Sequence, residues 1–194
     1  MIAFVKGNFV RKTPAVVLVD VNGVGYELQI SLNTYSSIQN DDKGQLFTYF
    51  HVREDAQILY GFFEEAEKNL FIQLISVSGV GAATARMMLS SMKPGEIIRA
   101  IVEGNIRLLE TIKGIGKKSA ERIVLELKDK LIKTPFDSNF STLKNNSLEH
   151  DALNALIALG IARPAGEQAI QRVMKADPTL DKIEDVIKKA LKTL

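Results

Sequence analysis

The sequence contains no cysteine and only two histidines, His51 and His150. Without sulfur there is no disulfide framework, no thiolate nucleophile and no sulfur ligand for zinc or an iron–sulfur cluster. Most metalloenzyme and cysteine-enzyme classes fall away, and neither a metal nor a cofactor is expected. Long apolar runs are missing too: no stretch approaches the roughly 20 residues that span a bilayer. The opening Met1-Ile2-Ala3-Phe4-Val5-Lys6 lacks the basic start, apolar stretch and small-residue cleavage site of a signal peptide. The expected location is therefore the cytoplasm, with no membrane partner. What remains is 194 residues, 46% hydrophobic and 25% charged, a globular composition with room for one large domain or two to three small ones.

The net charge of +2 is unevenly spread. Residues 1–63 carry five Lys/Arg against six Asp/Glu, residues 64–133 twelve against nine, and residues 134–194 eight against eight. The positive excess sits in the middle segment, and its placement matters more than its size.

Residues 1–63 read as five strands, Ile2 to Val10, Ala15 to Val21, Gly25 to Ile30, Leu46 to Arg53 and Ile58 to Phe63, because β-branched and aromatic runs alternate with turn residues. Asn22-Gly23 signals a hairpin and Asp41-Asp42-Lys43-Gly44 another turn. A helical turn over Asn33 to Ile38 is expected between the third and fourth strands. Five strands in about sixty residues suit a small closed barrel of the OB type. From Glu64 the period changes to about 3.6, giving a helical domain over 64–132. Residues 133–147 lack a periodic apolar face and read as a flexible linker. Residues 148–194 give three short helical patterns, divided at Gly160 to Pro164 and at Asp177-Pro178, that form a small bundle. The fold class is thus α+β and multidomain. A bundle this short has little core of its own, and a partner is expected to complete its apolar face.

The helical domain holds a repeat. Phe71 to Ala85 and Ile106 to Ala120 share one plan: a helix runs into Ser78-Gly79-Val80-Gly81 or Lys113-Gly114-Ile115-Gly116, and a second helix starts at once. The glycine pairs lie 35 residues apart, and a small residue, Ala85 or Ala120, follows four positions after the second glycine. This is the helix-hairpin-helix pattern. Its glycines permit a tight turn and close approach of backbone, while Val80 or Ile115 plugs the hairpin into the core. The free N–H groups of the next helix then face outward, where they and the positive end of the dipole suit a phosphate. In the second copy Lys117, Lys118 and Arg122 fall in the first turns of the helix, where a purely structural helix would carry acids. An anion is therefore expected there, and Gly79, Val80, Gly81, Gly114, Ile115, Gly116, Lys117, Lys118 and Arg122 form the expected backbone-binding set. A P-loop is excluded, since the required first glycine is Thr111 and Lys118 separates Lys117 from Ser119. Gly23-Val24-Gly25 has Leu28 where a dinucleotide fingerprint needs glycine.

Taken together, Gly23-Val24-Gly25-Tyr26-Glu27, His51 through Gln57, Leu59-Tyr60-Gly61-Phe62, Ser78 to Gly81 and Gly114 to Arg122 resemble the RuvA family over the whole chain. That resemblance implies Holliday-junction recognition for the RuvA–RuvB branch-migration machine in recombination and repair. It implies homotetramers, alone or as two opposed tetramers, whose paired hairpins hold four DNA arms. It implies an acidic pin at Glu54 and Asp55, where four copies would set eight carboxylates against converging phosphates and keep the junction open. It further implies that the third domain binds the RuvB ATPase through Leu156, Leu159, Gly160 and Ile161, and that the RuvC resolvase joins a larger complex. Two positions depart from the family's pattern: Ile161 stands where an aromatic is common, and Ala82-Ala83 where a Pro-Lys pair is often found. The first hairpin is therefore expected to bind mainly through backbone groups.

The resulting expectation is a non-catalytic protein that grips four-way junctions by shape, with strong salt dependence. Two other classes compete. Glu54 and Asp55 could serve a junction- or flap-directed nuclease, although adjacent carboxylates on a strand point to opposite faces and no third acid is near. Phe47, Tyr49, Phe50, Tyr60 and Phe62 could stack on single-stranded bases, although core packing is the commoner use of such residues.

Overall fold

A computed structural model describes residues 1–133, 144–177 and 180–193. The chain divides into two compact units, Met1–Phe136 and Asp137–Leu194.

The first unit begins with five strands and one short helix: β1 (Phe4–Lys12), β2 (Val16–Val21), β3 (Val24–Ile30), α1 (Leu32–Ile38), β4 (Lys43–Val52) and β5 (Gln57–Phe62). They close in the order β1-β2-β3-β5-β4, with β3 and β5 parallel and the other neighbours antiparallel. This is the expected OB-type barrel. Alternation builds its interior: Val17 and Val19 on β2, Leu28 and Ile30 on β3 and Leu46 on β4 are almost completely buried, while their neighbours face outward. Asn22 (φ 52°) and Gly23 (φ 88°) both take left-handed backbone in the β2–β3 turn, and Gly23 N–H donates to Asp20 Oδ1 at 2.8 Å. β4 starts earlier than its apolar pattern suggests. Lys43 and Gly44 leave the expected turn and pair with Asn8 and Gly7 of β1, because a backbone ladder needs no apolar side chain to continue. The Lys12 ammonium then ties the loop down, donating to the carbonyls of Gln39 at 3.0 Å and Asp41 at 2.5 Å.

Five helices complete the unit: α2 (Glu65–Ile75), α3 (Ala82–Ser91), α4 (Pro94–Glu103), α5 (Ile106–Glu110) and α6 (Lys117–Lys133). The barrel and these helices share one core. Phe71 of α2 packs between Tyr60 and Phe62, with ring centroids 5.0 Å from each, and 5.6 Å from Tyr49. Burying a ring of this size contributes about 2–3 kcal/mol. A polar clasp adds direction to that contact. Glu67 of α2 is buried and accepts hydrogen bonds from the Ser31 and Thr34 hydroxyls, and Phe63 N–H donates to Thr34 Oγ1 at 3.0 Å. Asn33 Nδ2 reaches the Leu89 and Met92 carbonyls at 2.5 and 2.9 Å, and so α1 is tied to the end of α3. Burial raises the Glu67 pKa above the ordinary carboxylate value, although its two hydroxyl partners oppose the shift.

The second unit has α7 (Lys144–Ala158), α8 (Arg163–Ala176) and α9 (Ile183–Leu191), packed around Leu153, Leu156, Ile170, Val173 and Val186. α6 runs to Lys133 and α7 begins at Lys144, both inside the segment read as linker. Asn and Ser weaken a helix interior yet suit its first turn, and a polar start carries no apolar period to reveal it. The rest of that expected linker, 134–143, lies outside the described residues, as does Pro178. Pro164 does not separate helices but sits in the first turn of α8.

Candidate nucleic-acid interface

The two hairpins repeat one turn geometry. Gly79 and Gly114 take φ of 90° and 93°, a region that costs an L-residue side chain about 1–2 kcal/mol. Just before them, Ser76 Oγ donates to the Gln73 carbonyl at 2.7 Å and Thr111 Oγ1 to the Leu108 carbonyl at 2.6 Å. Val80 N–H donates to Val77 and Ile115 N–H to Ile112, each at 3.0 Å. The Val80 and Ile115 side chains are both buried to 5% exposure. These two residues, expected in the backbone-binding set, therefore hold the turn: their N–H groups are already used within it. Ala85 and Ala120 are fully buried, which allows the second helix of each hairpin to pack closely.

The free donors lie one step further along. Ala85 N–H is the first in α3 to find a carbonyl, that of Gly81 at 2.9 Å, and Ala120 N–H bonds to that of Gly116 at 3.0 Å. Ahead of them stand the N–H groups of Ala82, Ala83 and Thr84 and those of Lys117, Lys118 and Ser119, which the helix itself leaves unpaired. Gly81 and Gly116 introduce these donors. Neither has a positive φ, and a Cβ added at either would meet nothing within 4 Å. No demand inside the fold calls for glycine there.

Side-chain charge separates the copies. Lys113, Lys117 and Lys118 are exposed around the second hairpin. Arg122 is exposed as well, but pairs with Glu126 at 2.8 Å one turn on, and so part of its charge is already answered. The first hairpin has no cation in its first turn, and Arg86 of α3 donates to the Ala15 carbonyl of the barrel at 3.2 Å.

Glu54 and Asp55 occupy an exposed bend at the tip of the β4–β5 hairpin rather than a strand. Val52 pairs with Gln57 below the bend, and Arg53 N–H donates to the Ala56 carbonyl at 2.8 Å. The opposite-face argument thus does not apply to them. No group of three or more His, Asp or Glu suited to hold a metal occurs among the described residues. The barrel aromatics face inward: Tyr60 and Phe62 are buried, and Phe47 and Tyr49 pack against the core shared with the helices. Phe50 packs on the barrel core.

The family description "RuvA N terminal domain" matches residues 1–61, "SAM-like Helix-hairpin-helix tandem" residues 71–129 and "RuvA, C-terminal domain" residues 147–194. Curated relatives extend that similarity over full length. Proteins of Christiangramia forsetii and Bacteroides fragilis are each 41% identical and one of Flavobacterium psychrophilum is 43% identical, with 100% of both chains covered in every case. All three are called Holliday junction branch migration complex subunit RuvA. The chain belongs to the RuvA family.

The RuvA C-terminal match falls on the second unit, where the α7–α8 corner carries the expected partner-binding residues. Gly160 (φ 89°) ends α7, with Gly160 N–H donating to Ile157 and Ile161 N–H to Leu156 at 2.9 and 3.0 Å. Leu159 is 63% exposed, whereas Leu156 is fully buried. Leu156, expected in the partner-binding set, belongs to the core of the bundle, on the inner face of α7. Ile161 is partly buried against the same core. Ile157, 39% exposed, was not anticipated from a pattern in which all the leucines look alike. The Ala82–Thr84 and Lys117–Ser119 amides are the free N–H groups expected at the start of each second helix, whereas Lys113 was not in the expected set, although its place beside Gly114 marks it.

Proposed function

We propose that this chain binds four-way junction DNA by its sugar–phosphate backbone, without reading sequence, and recruits a RuvB ATPase for branch migration in recombination and repair. The observation that carries this reading is the repeat of one turn geometry in two hairpins, each presenting three free helix N–H groups behind a glycine that the fold itself does not require. A phosphate backbone is the ligand that such a surface fits: it approaches closely, accepts N–H donors and is favoured by the helix dipole. The names of the full-length relatives supply the junction and the branch-migration complex.

In this reading Gly81, Gly116, Lys117 and Lys118 grip the arms, while Arg122 contributes weakly because Glu126 shares it. Four copies assemble as a homotetramer, alone or facing a second tetramer, and bring Glu54 and Asp55 to the crossover as a ring of negative charge. Exposed Leu159 and Ile157, with Gly160 shaping the corner, contact RuvB, and RuvC joins the larger complex. The protein is a DNA-binding subunit that catalyses nothing itself and works in the cytoplasm; no described helix is long and apolar enough to cross a membrane.

The test is binding to a fixed four-way junction and to linear duplex of equal length across a salt titration, with magnesium present and the strands checked for cleavage. Junction preference with intact strands is the expected result. Equal affinity for the two would reduce the protein to a general backbone binder, cleavage would make it a nuclease, and tighter binding to single strands would restore the stacking role of the barrel aromatics.

A further inference from the structure

The helix α3, whose start carries the free N–H groups of the first hairpin, is tied to the barrel and to α1 along its length. In its middle, Arg86 donates to the Ala15 carbonyl of the β1–β2 loop at 3.2 Å, and the same carbonyl accepts from Ile30 N–H at 3.0 Å. One turn on, Ser90 Oγ donates to the Arg86 carbonyl at 2.8 Å and accepts from Leu32 N–H at 3.1 Å. At the far end Asn33 Nδ2 uses both of its hydrogens, on the Leu89 carbonyl at 2.5 Å, which the helix terminus leaves over, and on the Met92 carbonyl at 2.9 Å. The short helix α1 that supplies Leu32 and Asn33 is itself fixed. Ser31 and Thr34 hold Glu67 of α2, and Phe63 N–H at the end of β5 donates to Thr34 Oγ1 at 3.0 Å. The second hairpin has a different setting, since α6 packs chiefly on α4 and α5.

We propose that Asn33, Ser90 and Arg86 are positioning residues that fix α3 on the barrel, and that the angle so set makes the protein prefer a junction to a continuous duplex. This inference rests on the junction-binding reading above and gives the two hairpins different work: the second adds charge, the first adds direction. Hydrogen bonds suit that task because they are directional, whereas the apolar contacts of Ala85, Met88 and Leu89 beneath α3 resist separation more than rotation. About 10 Å of helix separates Leu89 from the free N–H groups at Ala82. A tilt of roughly 10° therefore moves those groups by about 2 Å, which takes them out of hydrogen-bond reach of a phosphate held elsewhere. A single duplex has room to shift with α3. A junction gripped by several copies at once does not, and avidity is lost when geometry forbids simultaneous engagement. None of the three residues belongs to the backbone-binding set: Asn33 and Ser90 act at the opposite end of α3 from its free amides, and the Arg86 guanidinium is turned to the barrel.

The experiment compares the full native chain with Asn33→Asp, Ser90→Ala, Arg86→Ala and Arg86→Lys on a fixed four-way junction and an equal duplex at constant salt, with a thermal melt of each. Asn33→Asp keeps the shape of the side chain but sets an acceptor against two carbonyls, and Arg86→Lys keeps a donor for Ala15. The expected result is a junction-to-duplex affinity ratio that falls several-fold for Asn33→Asp and by less for Ser90→Ala, while their affinity for duplex stays native. Arg86→Ala should lower the ratio and Arg86→Lys should restore it, a rescue that a role in packing alone would not give. Should Asn33→Asp melt below the assay temperature, Ser90→Ala decides in its place, because it removes one bond at an exposed margin. A native ratio in a folded Asn33→Asp or Ser90→Ala variant, or junction and duplex affinities that fall in parallel, would overturn the proposal. A ratio of one for the native protein would instead sink the junction reading and the proposal together, whereas a native preference unmoved in every folded variant sinks the proposal alone.

Discussion

The two hairpins share one backbone and differ in charge. From Ser76 and Thr111 through Ala85 and Ala120 their hydrogen bonds correspond, except that Ser76 N–H also reaches the Ile72 carbonyl at 3.2 Å, yet the first opens α3 with Ala82-Ala83 and the second opens α6 with Lys117-Lys118. Geometry and charge are therefore separable contributions. The turn leaves free helix N–H groups in both copies, whereas only the second sets exposed lysines beside them. The first hairpin spends its one nearby cation, Arg86, on the barrel.

The largest effect should come from stripping the second copy of what the first already lacks. Lys117→Ala with Lys118→Ala is expected to weaken junction binding on the order of tenfold per lysine at low salt. The slope of log affinity against log salt should become shallower by about 0.9 for each lost phosphate contact. A salt titration checks both, and an unchanged slope would remove the lysines from the interface. Conversely, Ala83→Lys gives the first hairpin the missing charge, and should steepen the slope by about 0.9 with no loss of stability; a slope that stays flat would mean α3 does not face DNA.

Stability sharpens the comparison within each turn. Gly114→Ala meets left-handed backbone and should lower unfolding free energy by about 1–2 kcal/mol, while Gly116→Ala, with ordinary φ and open space, should leave the denaturant midpoint unchanged. Equal midpoints for the two variants would contradict the turn geometry.

The smallest expected effect concerns the clasp that holds the first hairpin to the barrel. Glu67 has a raised pKa when folded, so the folded state binds its proton more tightly than the unfolded chain does. The resulting stability is fully present below the unfolded carboxylate value and is lost as pH rises through the folded one. Glu67→Gln should flatten that part of the stability–pH curve, measured by denaturation at a series of pH values; an unaltered curve would place the pH dependence elsewhere.

The repeat and the barrel were legible because each rests on local signals: a glycine pair recurring at 35 residues, strand alternation, and Asn22-Gly23 where two positive φ angles were needed. What stayed hidden depends on three-dimensional neighbours. Glu67 reads as one more acid in the first turn of a helix, and only the fold shows it buried against Ser31 and Thr34. Leu156 and Leu159 are three positions apart and chemically identical, but the end of α7 turns one inward and leaves the other out. Arg122 looked free because its partner, Glu126, stands beside it only once the helix aligns them. His51 lies near the end of β4 and Arg53 just past it, and nothing in their spacing announces the 2.8 Å bond from Arg53 Nε to His51 Nε2. Val80 and Ile115 show the finer limit: the motif located the turn correctly, but which amides remain free is decided by the hydrogen bonds inside it.

The central claim is that two glycine-led backbone surfaces hold DNA. Gly81→Ala with Gly116→Ala adds two methyl groups where the fold has room and a phosphate backbone would not. Measured side by side, the melting temperature of this double variant should match the native protein while its affinity for a fixed four-way junction falls at least tenfold. Native affinity in a natively stable double variant would contradict the account.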